Sequence, residues 1–260
     1  MDSSKLAPNT DNLLLGKGSL YFSRLSEAEV ATGELHLGNA PSFEFTLSQT
    51  MKDHFTSMEG IKKKDKSIAT EEKVNGKFTL EEFSKENLLL ALRGGDPAFI
   101  TQTAGATAVL RTAYRDRWLD VGYRSISAVV VFHGVTTFTV NVDYKIDAKV
   151  GRIMPLYTGA IYEGEQLSIQ FSYASINQPV IRMSQRDVKG FLRFVPNNDQ
   201  GPQYMVEMWR VNLKCDGGIG FITEDWGKLD FTFEADDDKA NHPTEPYGRI
   251  SELKPTLVIS

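Results

Sequence analysis

Apolar residues recur at every second position in four stretches of the chain. That period of two marks strands, because successive side chains leave a sheet on opposite faces. Phe43, Phe45 and Leu47 alternate with Ser42, Glu44 and Thr46; Phe138, Val140, Val142 and Tyr144 alternate with Thr137, Thr139, Asn141 and Asp143. Leu167, Ile169, Phe171 and Tyr173 alternate with Ser168, Gln170 and Ser172, and Leu229, Phe231 and Phe233 with Asp230, Thr232 and Glu234. Each stretch predicts a strand with one face on a core. Residues 125–132 start alternating and turn continuously apolar, which predicts burial on both faces, and 204–213 carries large residues on both faces.

Turn chemistry separates these runs. Asn75-Gly76, Glu163-Gly164, residues 197–202 and Asp216-Gly217-Gly218 all read as turns or loops. A polar, lysine-heavy hairpin is predicted over 54–67, followed by a strand over 77–83. Only 84–93 reads as a helix. Ser84 suits the N-cap because its hydroxyl can accept from a free first-turn amide. Glu86 favours the positive end of the helix dipole. Gly94 and Gly95 supply a left-handed stop, Pro97 prevents continuation, and Leu88, Leu89 and Leu92 are placed to pack on a sheet. The fold class is mainly β with one short helix, and 105–177 reads as a small β domain inserted into a discontinuous domain of 1–104 and 178–260.

At 260 residues the chain is long enough to bury a core. A net charge of −5 argues against a general nucleic-acid binder, which needs a basic surface, but leaves room for a mildly acidic surface past which DNA slides. The single Cys215 has no intrachain partner and reads as a small buried hydrophobe. The polar N-terminus, the short Leu13-Leu14-Leu15 run and the absence of any long apolar stretch predict a soluble protein made in a reducing cytoplasm, with no membrane partner.

Three pieces of sequence, taken together, resemble phage major tail tube proteins. The first is 44–94, in the order strand, long exposed hairpin, strand, lone helix. The second is the hairpin Asp143-Tyr-Lys-Ile-Asp-Ala-Lys-Val-Gly-Arg-Ile153. The third is C-terminal: Gly190-Phe-Leu-Arg-Phe-Val195, Glu207-Met-Trp-Arg-Val211 and the Glu224-Asp225-Trp226 turn before an amphipathic strand. The resemblance implies a two-sheet sandwich or barrel flanked by one helix. It implies a subunit that forms hexameric rings, one sheet of each copy joining a continuous barrel around a lumen, which pairs the sheet edges that would otherwise invite aggregation. The inserted domain would sit on the outside of the tube. A long hairpin would reach the next ring, through Met58, Ile61, Lys62, Lys63, Lys64, Asp65 and Lys66. Implied partners are further copies of itself, the tail tip, tape measure and tail terminator proteins, and viral DNA passing through without specific binding. Such a protein is a structural virion component of the tail, assembled in the host cytoplasm, with no cofactor and no enzymatic turnover.

Other chemistry is thinly represented. Asp236-Asp237-Asp238 lacks the glycine and distal Glu of an EF-hand and reads as a solvated turn. Gly16-Lys17-Gly18-Ser19 lacks the Lys-Ser/Thr adjacency of a P-loop. His36, His54, His133 and His242 are too scattered for metal-ligand spacing, and no nucleophile elbow occurs. Glu44, Asp230 and Glu234 alternate with core positions and are candidates for lumen-facing acids that repel phosphates. The alternative function is a carbohydrate-binding or adhesive β-sandwich, which needs exposed aromatic platforms beside carboxylates; Trp118, Trp209 and Trp226 read as packed residues instead.

Overall fold

A computed structural model of the chain describes residues 10–26, 29–58, 60–93, 98–183 and 187–253. The chain divides into two compact units, residues 1–96 with 181–260, and residues 97–180. Unit 1 opens with β1 (Gly18–Arg24), β2 (Leu35–His36), β3 (Ser42–Thr56), β4 (Lys63–Leu80) and the helix α1 (Lys85–Ala91). Unit 2 follows with β5 (Ala98–Gln102), β6 (Gly105–Thr112), β7 (Leu119–Asp120), β8 (Ile126–His133) and β9 (Thr136–Thr137). It continues with β10 (Tyr144–Asp147), β11 (Arg152–Pro155), β12 (Gln166–Tyr173) and β13 (Ile176–Val180). The chain returns to unit 1 with β14 (Val188–Pro196), β15 (Tyr204–Cys215), β16 (Leu229–Ala235) and β17 (Gly248–Glu252). The protein is mainly β, with several antiparallel sheets and one α-helix among the described residues.

Unit 1 is organised by an eight-stranded sheet in the order β2-β1-β14-β15-β16-β4-β3, with β17 pairing the first half of β15. Its core forms where alternation is strictest. In β16, Leu229, Phe231, Phe233 and Ala235 are buried while Asp230 and Glu234 face solvent. Phe231 stacks on Phe78 at 5.1 Å, and Phe43 stacks on Phe194 at 5.6 Å. The helix buries Leu89, Leu90 and Ala91. Ser84 caps it as its sequence predicted, its hydroxyl accepting from the Asn87 N–H at 3.0 Å. Asn87 is itself buried, its side-chain amide donating to the carbonyls of Leu37 and Glu82. Gly94, Gly95 and Pro97, the predicted stop, lie outside the described residues.

Several elements of unit 1 differ from those the sequence predicts. The strands expected over 42–49 and 77–83 are far longer at the hairpin end, and the second stops at Leu80. Asn75-Gly76 is no turn but lies inside β4, between β3 and β16. Glycine is needed there because a Cβ would lie 2.3 Å from the Phe233 ring and 2.6 Å from the Glu44 carbonyl oxygen. Phe45 and Leu47 are exposed rather than core, on the edge strand of the sheet, although Val74 opposite Leu47 is buried.

Unit 2 contains the sheets β6-β12-β8-β9, β10-β11-β7 and β13-β5. Leu167, Ile169 and Phe171 of β12 bury with Val131, Ile153 and Ile161. The chain enters and leaves the unit along one two-stranded ribbon, β5 with β13. The 143–153 hairpin forms as β10 and β11, with Gly151 at φ +83 where a Cβ would collide with the Tyr123 carbonyl. The alternation over 138–144 does not form a strand. Asn141 takes φ +65, and the buried Asp143 carboxylate accepts from the amides of Thr139 and Ala160, folding 141–143 into a turn. Residues 125–132 are not buried on both faces: β8 bulges opposite β12, Ala128 takes φ +48, and Val130 is exposed.

The glycine fit in β4 is testable. Gly76→Ala should cost about 1–3 kcal/mol through overpacking against Phe233 and lower the Tm by several degrees. Gly16→Ala, where no atom lies within 4 Å of the added Cβ, should leave the melting curve unmoved.

Candidate functional site

Strand β4 pairs with β16 only from Val74 to Leu80, yet it runs back to Lys63. Its first eleven residues, 63–73, therefore project past β16 with β3 as their only sheet partner among the described residues. At ~3.3 Å per residue this two-stranded ribbon extends ~36 Å. Two bulges twist it, with β4 gaining a residue at Thr70 and again at Asp65 relative to β3.

The ribbon stays paired through charged and polar cross-strand contacts. Gln49 bonds Glu72 at 2.8 Å, Asp53 accepts from Lys64 at 2.7 Å and from Ser67 at 2.6 Å, and His54 meets Asp65 at 2.6 Å. The Lys64 ammonium and the Ser67 hydroxyl hold the Asp53 carboxyl below its ordinary value. Apolar side chains are interleaved with these contacts. Phe43, Phe45, Leu47, Met51 and Phe55 occupy alternate positions on one side of β3, and all but Phe43 are exposed. At the end of the ribbon Met58 is 94% exposed and Ile61 75% exposed.

The structure thus brings Met58, Ile61 and Lys62 together at the tip. It moves Lys63, Lys64, Asp65 and Lys66 from the expected turn into the start of β4, where Phe55 and His54 of β3 lie opposite. The apolar stripe down β3 was missed in the sequence, although its signal was there. The odd-numbered alternation that begins at Phe43 continues to Phe55, interrupted only by Gln49 and Asp53.

Glu44, Asp230 and Glu234 also come together, on the solvent face of the sheet opposite the aromatic core. They share that face with lysines. Glu44 pairs with Lys77 at 2.7 Å and raises the lysine's pKa by that hydrogen bond, and Lys73 pairs with Glu71 at 2.7 Å. Asp230 accepts from the Thr79 hydroxyl at 2.7 Å. A shallow groove on this face is lined by Glu44, Lys77, Lys214, Thr232 and Glu234.

The remaining candidates fall into local packing, except that Trp118 and Trp226 are exposed where packing was expected. Asp236 sits within ion-pair distance of Lys189 and Arg210, while Asp237 and Asp238 bond Lys239 and Asn241 within their own turn. Cys215 is half-buried against the core, its thiol pushed up by burial and by the nearby Asp230 and Asp216. Trp209 stacks on His242 at 4.0 Å and donates its ring N–H to the Glu245 carbonyl, and Arg152 lies over Trp118 at 4.7 Å. Trp118, beneath the Arg152 guanidinium, is 40% exposed, and Trp226 stands furthest out. The latter is 90% exposed, because its glycine-flanked loop has nothing laid over it. Among the described residues no cluster of His, Cys, Asp and Glu could hold a metal ion, and no helix is long and apolar enough to cross a membrane.

These features define a mainly β chain built on an eight-stranded antiparallel sheet with a projecting ribbon. The chain belongs to the family described as "Protein of unknown function UCP028589", whose model matches residues 13–251. No curated protein matches the sequence.

Asp53 holds the outer ribbon in register from a solvent-exposed position. A carboxyl depressed in the folded ribbon contributes above its unfolded pKa of ~3.9 and stops contributing as pH falls through the lower folded value. Asp53→Asn should therefore reduce amide-exchange protection over 51–56 and 63–69 at pH 7, with 74–80 unchanged. The unaltered protein should lose the same protection only on acidification below the usual carboxylate range.

Proposed function

We propose that this chain is the structural subunit of a bacteriophage tail tube, polymerising as stacked hexameric rings into a conduit for genome ejection. Unit 1 supplies the sandwich or barrel that closes around the lumen. The observation that carries the reading is the ribbon: a long two-stranded extension with Leu47, Met51, Phe55, Met58 and Ile61 exposed. An isolated two-stranded hairpin is marginal in water, and apolar residues held out on one call for a partner surface.

The sheet edges support the same reading. β3 ends the sheet with its outer side unpaired among the described residues, and at the opposite edge β2 pairs only Tyr21 and Phe22 of β1. Edges of this kind template pairing with another chain unless a ring closes them. Magnitudes favour rings over pairs. Burying these five apolar side chains of the ribbon contributes about 7–15 kcal/mol at ~1.5–3 each. Association costs about 4–15 kcal/mol. One docked ribbon holds weakly, whereas several engaged together between two rings hold by multivalency.

In this reading the polar face carrying Glu44, Asp230 and Glu234 lines the bore, and the protein works as a wall in the virion tail without turnover. Its partners are copies of itself, tail tip, tape measure and terminator proteins, and DNA in passage. One observation favours a second reading, a glycan-binding surface: the exposed Trp226 beside Glu224 and Asp225.

Deleting 58–66 should leave a folded subunit, since the end of a ribbon without core contacts tolerates deletion as a loop tip does. Sedimentation and electron microscopy should then find rings that do not lengthen; tube growth at the normal rate would overturn the role of the ribbon. Replacing Glu44, Asp230 and Glu234 together by lysine should preserve folding, because exposed ion pairs contribute only ~0–1 kcal/mol. It should slow genome ejection from virions, most visibly at low salt, where charges at the wall are least screened. Normal ejection would remove these acids from the bore.

A further inference from the structure

The two ends of β4 differ in chemistry. Its first residue, Lys63, adjoins the tip 57–62, while its last, Leu80, lies opposite Leu229, so the loop 216–228 between β15 and β16 sits at the far end of the same strand. Eighteen residues of strand at ~3.3 Å each separate the two by ~60 Å. That loop also crowds large apolar side chains into an exposed turn, as the segment Leu13-Leu14-Leu15 does elsewhere in unit 1. Ile222 is 98% exposed, Trp226 nearly as much, and Phe221 reaches back to Phe83 by a ring-edge contact at 6.3 Å. The Thr223 hydroxyl donates to the Asp225 carbonyl at 2.6 Å, shaping the turn between Ile222 and Trp226.

The charges at the two ends are opposite. Residues 57–66 hold Lys62, Lys63, Lys64 and Lys66 against Glu59 and Asp65, four positive and two negative, a balance of +2. Residues 216–228 hold Asp216, Glu224 and Asp225 against Lys228, three negative and one positive, a balance of −2. Lys228 is also drawn toward Glu81 of its own chain, at 4.0 Å. Each end thus combines exposed apolar side chains with charge of opposite sign, and the two lie too far apart to meet within one molecule.

We infer that the loop 216–228 of one copy is the receptor for the ribbon tip 57–66 of the next. The occupant is a second copy of this chain, and the inference rests on the tube-subunit reading, to which it adds the receiving surface. Met58 and Ile61 pack on Phe221, Ile222 and Trp226, and the tip lysines face Glu224 and Asp225. Because the two patches differ, the contact is heterologous and leaves a free tip and a free loop at every step. Such a contact produces an open stack rather than a closed dimer.

The test uses full-length protein with Cys215→Ser as background. Met58→Cys combined with Ile222→Cys, treated with an added oxidant under assembly conditions, should give a ladder of disulfide-linked multimers on a denaturing gel. Each single-cysteine variant should stop at dimers. Glu224→Lys with Asp225→Lys should cut tube length at least tenfold while leaving the circular dichroism unchanged. Adding Lys62→Glu and Lys63→Glu to that chain should restore growth. Tubes that lengthen normally with both loop acids reversed, and no ladder, overturn this receptor while leaving the tube reading standing. Unaltered protein that stays monomeric overturns both. A glycan that binds the chain and is lost in Trp226→Ala, with tube growth unchanged, assigns the loop to a saccharide and also overturns the inference.

Discussion

Beyond Val74, β4 has a neighbour on one side only and no core layer beneath it among the described residues. That single constraint organises the rest of unit 1. A two-stranded ribbon cannot draw stability from burial, so its outer part is held by cross-strand polar contacts such as Asp53 with Lys64 and Ser67. Each is worth little in water, and the bulges at Thr70 and Asp65 add twist that discourages flat, indiscriminate pairing. Evolution of a solitary protein would be expected to make such an extension polar throughout. Here the side of β3 that begins in the core at Phe43 still carries Met51 and Phe55 after the core has ended, between the polar contacts of Gln49 and Asp53.

The sheet behind the ribbon separates its two faces sharply. One is an aromatic core, Phe43, Phe78, Phe194, Phe231 and Phe233, in which even a glycine's missing methyl is used. The other is a polar face on which acids and lysines interleave, so that neither sign dominates over a distance longer than the screening length. The buried Glu207 reinforces β14, β15 and β17 by bonding Arg193 at 3.0 Å and Arg249 at 2.6 Å, a paired charge whose partners satisfy it. A stiff sheet with a soft, sticky extension suits a subunit whose work is done by its surfaces.

Much of this was legible in the sequence where a single periodicity ran to completion. Leu229, Phe231 and Phe233 fall on the core side of β16, Leu167, Ile169 and Phe171 on that of β12, and Ser84 caps its helix. Reading failed where alternation was necessary but insufficient. Phe45 and Leu47 obey the strand period, yet period alone does not say that β3 is the edge strand of its sheet. Asn75-Gly76 has turn chemistry, but the Phe233 ring occupies the space a side chain would fill, and that is a long-range fact. Thr137 to Tyr144 alternates well and still forms no continuous strand, because the Asp143 carboxylate gathers the amides of Thr139 and Ala160 and 141–143 turn between β9 and β10. Of the candidate surface, the tip residues Met58 and Ile61 could be read directly. The stripe leading to them, and Trp226 standing clear of its loop, needed the structure.

The central claim is that this chain exists to join copies of itself. Electron cryomicroscopy of the purified, unaltered protein across a concentration series tests it most directly. The account predicts sixfold rings and tubes with a regular axial repeat, with the β3–β4 ribbon of each subunit reaching into the neighbouring ring. Discrete single subunits at every concentration, including after seeding with tail tips, would contradict it.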